Sequence, residues 1–91
     1  MIRITGFEWS PSNLEHIHEH GVRDYEVEEV LLFDEPIYYR GKEGKYCAFG
    51  VTDSGRHLFI VFVVKEHGII RVITARNMTK AERRLYNKRR C

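Results

Sequence analysis

Two arginines and two histidines are the residues of this 91-residue chain best suited to chemistry. Arg71 interrupts the run Ile69-Ile-Arg-Val-Ile-Thr-Ala75, which is otherwise apolar or β-branched and predicts a strand inside a sheet. An unpaired charge in such a place is costly, so Arg71 needs a partner or a bound anion. Arg76 follows at the strand exit, where a rigid scaffold commonly holds binding groups. Asn13, His16, Ile17 and His20 stand at i, i+3, i+4 and i+7, one stripe of a helix, so two imidazoles, side chains suited to proton transfer, share a face. The combination is an anion site with groups able to move protons. The plainer reading of the histidines is a half-buried helix whose edge they hydrogen-bond.

Geometry sets a condition on the arginines. Strict alternation puts Arg71 with Ile73 and Ala75, and Arg76 on the opposite face with Val72 and Thr74. Both reach one anion only if the strand bends or ends near Ala75, for which a β-bulge would suffice. A metal site is the weaker use of the histidines. His16 and His20 are spaced as ligands, but zinc would need others from His18, His57, His67 or a cysteine, and His18 points elsewhere. The chain has neither His-Glu-x-x-His nor Cys-x-x-Cys, so no metal or other cofactor is expected. Cys47 fits a small core residue and Cys91 a disordered terminus, neither a nucleophile.

The elements that must position these groups follow from period and punctuation. Residues 2–5 alternate as a short strand, and Gly6-Phe7-Glu8-Trp9-Ser10-Pro11 turns the chain. Ser12-x-x-Glu15 is a capping box for a helix over residues 13–20, closed by Gly21. A second helix over residues 25–32 carries Val27, Val30 and Leu31 on one face and Glu26, Glu28 and Glu29 on the rest, until Asp34-Glu35-Pro36 stops it. Extended runs follow at residues 37–40, 45–52, 57–65 and 69–75, separated by glycine turns. The run 57–65 is apolar on both faces and should be central. Thr79-x-x-Glu82 is a capping box that opens a closing helix toward Tyr86. Phe7, Trp9, Phe59 and Phe62 read as core, while Tyr38 and Tyr39 must face opposite ways. The prediction is one α+β domain over residues 1–91: a short N-terminal strand, two helices, an antiparallel sheet of about four strands with helices on one face, and a C-terminal helix.

Composition narrows the function. No apolar run approaches the ~18 residues of a membrane span, and Met-Ile-Arg-Ile-Thr-Gly has no signal-peptide core. Two cysteines make no disulfide framework, which suits a reducing cytoplasm. The net charge of +2 hides a division: 7 Lys/Arg against 12 Asp/Glu through Ile70, then 8 Lys/Arg against Glu82 alone from Arg71 onward. The basic end suits a polyanion and the acidic region a basic partner, although Lys88-Arg89-Arg90 alone would equally make a solvated tail. Exposed sheet edges invite a homodimer or a heteromer.

Phe7-Glu8-Trp9, His20-Gly21-Val22 and Arg71-Val-Ile-Thr-Ala-Arg76 followed by Thr79-x-x-Glu82-Arg83-x-x-Tyr86 occur in that order across nearly the whole chain. In this the chain resembles BrnT-type toxins, the ribonuclease half of bacterial type II toxin–antitoxin pairs. The resemblance implies a RelE-like fold, RNA as substrate and a small cognate antitoxin as partner. Well-known members carry a lysine before the His-Gly; here Glu19 stands there, which places the chain with a divergent branch that has Asn13-x-x-His16-Ile17-x-x-His20-Gly21.

The residue set suits RNA cleavage without a metal. A base takes the proton of a ribose 2′-OH, the oxygen attacks the adjacent phosphate, arginines neutralise the charge that develops, and an acid protonates the 5′ oxygen. Arg71 and Arg76 are expected at the phosphate, His20 as acid or base, and His16 in support. Tyr86 would stack on a base or donate a proton, and Lys80, Arg83 and Arg84 would hold the RNA backbone without reading sequence. The alternative is a non-catalytic RNA- or protein-binding module of the same fold, in which Glu19 marks lost toxicity.

Overall fold

The computed structural model describes residues 3–90, without the side chain of Arg90. Ile2, where the first strand was expected to begin, and Cys91 lie outside the described residues. Helix α1 (Pro11–Glu19) begins earlier than the Ser12 box predicts. Ser10 is the cap, its Oγ accepting the Asn13 N–H at 3.2 Å. Pro11, with its preset φ and no N–H to satisfy, fits the first turn and moves the start upstream of Ser12. After His20 the chain leaves the helix through Gly21 at φ +74°, a conformation glycine adopts without strain. Helix α2 (Asp24–Leu32) is opened by Glu26, which accepts the Arg23 N–H at 3.0 Å, and buries Val27, Val30 and Leu31 as their spacing predicts.

Among the described residues five strands form one mixed sheet in the order β1-β5-β4-β3-β2: β1 (Gly6–Glu8), β2 (Ile37–Arg40), β3 (Lys45–Val51), β4 (His57–Val64) and β5 (Ile69–Asn77). The last four are the expected antiparallel meander, with β4 central. The first strand differs from the expectation. Residues 3–5 are not in a strand; the strand is Gly6–Glu8, which pairs in parallel with Ile69–Arg71. The Thr5 N–H is already taken by the Gly68 carbonyl of the turn before β5, so ladder pairing starts one residue later. Phe7 and Trp9 then pack against the core.

That core lies between α1, α2 and one sheet face. Ile17, Val22, Val27, Val30 and Leu31 meet Ala48, Leu58, Ile60, Phe62, Ile70, Val72 and Ala75. Each buried Val, Leu, Ile or Phe contributes roughly 1.5–3 kcal/mol. Gly50 is what lets α2 approach β3 so closely, since a Cβ there would stand 2.6 Å from Val30 Cγ1 and 2.7 Å from Asp34 Oδ2.

Helix α3 (Lys80–Arg90) runs beyond Tyr86 and does not join the other two helices. Its Glu82, Leu85, Tyr86 and Arg89 line a groove with Ile37, Tyr39, Cys47, Phe49 and Phe59, all on the opposite sheet face. The expectation of helices on one face is therefore corrected. β3 and β4 are apolar on both sides, so Phe49 and Phe59 need cover as much as Ile60 does. Cys47 accordingly lines this groove, and Arg89 donates to the Tyr39 hydroxyl at 2.8 Å rather than trailing in solvent. Among the described residues, no helix is long and apolar enough to cross a membrane.

Candidate active site

A bulge in β5 decides where the arginines point. Opposite β4, Val72 pairs with Phe62 and Thr74 with Val61, leaving Ile73 as the extra residue. Arg71 then stands across from Val63 and Arg76 across from Phe59, positions on one face of β4. The Arg76 guanidinium lies 4.3 Å over the Phe59 ring, as that register requires. The two arginines share the sheet face that α1 and α2 leave uncovered.

The histidines arrive at the edge of the same strand. β1 pairs only with residues 69–71 of β5, so the rest of that edge is open to α1. Asn13 Nδ2 donates to the Val72 carbonyl at 3.1 Å, and Ser10 Oγ donates to Asn13 Oδ1 at 2.7 Å, which orients the amide. His16 Nε2 and Thr74 Oγ1 share a hydrogen bond of 3.1 Å. His20 meets His16 edge-on with ring centroids 5.2 Å apart. Buried Ile17 on the same stripe fixes the helix against the core, while both imidazoles stay exposed.

The two arginines differ in their surroundings. Arg76 donates from Nη1 and Nη2 to the two Glu82 oxygens at 2.8 and 3.1 Å, and from Nη1 to the Asn77 carbonyl at 3.0 Å. This bidentate bond, with the Thr79 N–H on the same carboxylate, holds Glu82 down to about 2, and Glu82 in turn raises Arg76. Arg71 is exposed, and its side chain makes no hydrogen bond or salt bridge among the described residues. Its ladder neighbour Glu8 is engaged by Lys65 at 2.9 Å; that bond chiefly, and the charge of Arg71 to a smaller extent, hold Glu8 below the usual carboxylate range. Arg71 is thus open to an external anion, and the fork of Arg76 is occupied.

Lys80, Arg83 and Arg84 are exposed on α3, away from the buried Tyr86. Tyr86 is only 6% exposed and packs edge-on against His57 with centroids 5.6 Å apart. It anchors α3 to the sheet, and its ring offers little surface for a base to stack on.

Arg56 is the residue that motif and spacing did not single out. Its Nη1 donates to the Gly21 carbonyl at 2.8 Å and to both Glu26 oxygens at 2.8 and 3.0 Å, while Nη2 donates to Asn77 Oδ1 at 2.9 Å. One guanidinium thereby joins the turn after His20, the start of α2 and the end of β5. The only sequence signals were an acid among the valines of α2 and an arginine just before a strand, with nothing to link them. Among the described residues, no three His, Cys, Asp or Glu side chains come together to hold a metal ion.

Fold and site together define a small α+β protein with a cationic sheet face, an exposed histidine pair at its edge and a basic helix alongside. The chain belongs to the BrnT family, the ribonuclease toxins of type II toxin–antitoxin systems, whose pattern it matches over residues 9–82. The matched span includes His16, His20, Arg71 and Arg76, and ends at Glu82, before Arg83, Arg84 and Tyr86. Family membership carries with it RNA as substrate and an antitoxin as partner. Among curated proteins none matches the chain.

Proposed function

We propose that this protein cleaves RNA without a metal, using β5 and the outer end of α1. The observation that carries this reading is Arg71, an exposed cation without an ion-pair partner among the described residues, on the same face as Arg76 and beside an edge that bears His16 and His20. A phosphodiester on this face is held by Arg71. Arg76 joins it by exchanging Glu82 for phosphate oxygens, both being acceptors that fit a guanidinium fork. His20 takes the proton of the 2′-OH, and the O2′ electron pair forms the new bond to phosphorus. The bond from phosphorus to O5′ breaks, and O5′ leaves with that electron pair and takes its proton from solvent. The products carry a 2′,3′-cyclic phosphate and a 5′-OH. His16, tethered to Thr74, holds the His20 ring in place. Lys80, Arg83 and Arg84 bind flanking phosphates.

The reading places the protein in the cytoplasm, where an antitoxin would cover the basic face. The open edge of β2 is available to that partner or to a second copy. One observation favours the alternative of a non-catalytic RNA-binding module: the Arg76 fork is closed by Glu82.

Incubation of purified protein with single-stranded RNA in EDTA tests both. Wild-type protein should leave 2′,3′-cyclic ends. Arg71→Ala should lower the rate at least ~10²-fold, as loss of one charge-stabilising donor does, and His20→Ala by ~10²-fold or more. Retained cleavage by Arg71→Ala would remove the assignment. RNA binding without cleavage by the wild type would favour the binding module.

A further inference from the structure

The groove between α3 and the outer sheet face is not used by this reaction. It encloses about 360 Å³ among Tyr39, Cys47, Phe49, Phe59, Leu85 and Tyr86. Leu85 is 57% and Tyr39 38% exposed, so the helix and the sheet leave an apolar slot between them open. Its rim is charged: Arg89 and Glu82 line it, and Arg76, which holds Glu82, stands beside it. Arg89 lies over the Tyr39 ring at 5.6 Å and Arg76 over the Phe59 ring at 4.3 Å, while Lys80, Arg83, Arg84 and Lys88 are exposed along α3. A ligand suited to both features is anionic along its length and flat and aromatic to one side. The slot is also continuous with the strand site, because Phe59 and Glu82, two of its walls, are the residues Arg76 touches.

We propose that this groove is a nucleobase subsite, in which a base flanking the bound phosphate leaves its stack and lies among Tyr39, Phe49 and Phe59. This rests on the RNA reading. Single-stranded RNA is commonly held by bases unstacked onto aromatic rings and guanidinium planes, with the phosphates on basic side chains outside. A purine is the favoured occupant, since two fused rings cover more of an apolar wall than one. The Tyr39 hydroxyl and Arg89 are the polar groups placed to meet its edge.

The test measures anisotropy of two labelled 2′-O-methyl oligonucleotides, which resist 2′-OH attack. One carries purines and the other has abasic sites at the same positions. The wild-type protein should bind the purine strand about ten-fold more tightly or better, the size of one base–aromatic stack. Leu85→Trp fills the slot from an exposed helix position, and should bring that ratio near unity with abasic binding unchanged. Equal binding of both strands by the wild type, or an unchanged ratio in Leu85→Trp, would overturn the subsite while leaving the RNA reading standing. Binding of neither strand would overturn both. If an acidic peptide with apolar anchors perturbs the Tyr39 and Phe49 ring resonances and the purine strand does not, the groove belongs to a protein partner.

Discussion

At the residue scale, Arg56 does for stability what Arg71 is proposed to do for RNA. Both are arginines of the sheet region, but the Glu26 side chain opposite Arg56 is only 9% exposed, so the pair is largely removed from water. Removing one member of such a pair leaves the other charged and poorly solvated. Arg56→Met should therefore cost about 2–3 kcal/mol, lower than for a fully buried pair because Arg56 is partly exposed. In a chain of this length that lowers Tm by roughly 10 °C or more, read by thermal denaturation. The double variant Arg56→Met, Glu26→Gln should recover part of the loss, because it removes the orphaned charge. Recovery would show that the carboxylate, not packing, carries the effect.

At the element scale, α3 is tied to the sheet by the Glu82 carboxylate, the Tyr86 ring and the Arg89 guanidinium. Glu82 closes the capping box, accepting the Thr79 N–H at 2.8 Å while its own N–H donates to Thr79 Oγ1 at 3.1 Å, and it also takes the Arg76 fork. Its folded pKa of about 2 lies below the usual 4.5, so its contribution is fully present above pH 4.5 and is lost as pH falls toward 2. Discounted for solvent exposure, that contribution is on the order of 1 kcal/mol. Between pH 5 and 2 the Tm of the wild type should therefore fall further than that of Glu82→Gln, by several degrees, as measured by circular dichroism. Parallel curves would show that the pair adds nothing. The capping box itself was legible in the sequence, since it depends on residues three apart. The partner of Glu82 was not, because Arg76 reaches it only after the bulge has turned that side chain toward α3.

At the scale of the whole molecule, the division of charge is the functional feature. Twelve of the 13 acids precede Arg71, and β5 with α3 carries 8 of the 15 basic residues. A strand bound there releases counterions for each phosphate that Arg71, Lys80, Arg83, Arg84 and Lys88 contact. The logarithm of affinity for single-stranded RNA should fall with the logarithm of salt at a slope of roughly −3.5. Titrations between low and physiological salt would check it. A flat dependence would mean that the basic face does not carry the binding.

What the sequence determined by itself is everything local. The strand over 69–75, the Thr79–Glu82 box, the glycine after His20 and the valine face of α2 all depend on residues within a turn or two of each other, and the charge division is a count that needs no fold. The family resemblance likewise rested on short motifs in order. Ser10 and Ser12 show the limit of such reasoning, since both could cap and only the placement of Pro11 in the first turn chose between them. Tertiary structure decided the rest. The parallel pairing of Gly6–Glu8 with β5, the extra residue at Ile73 and the side of the sheet that α3 takes all depend on contacts between residues far apart in the chain. Such contacts form only where the two apolar faces of one sheet must both find cover. The extra residue at Ile73 brought Arg71 and Arg76 onto one face, and the side that α3 takes left the aromatic groove beside them.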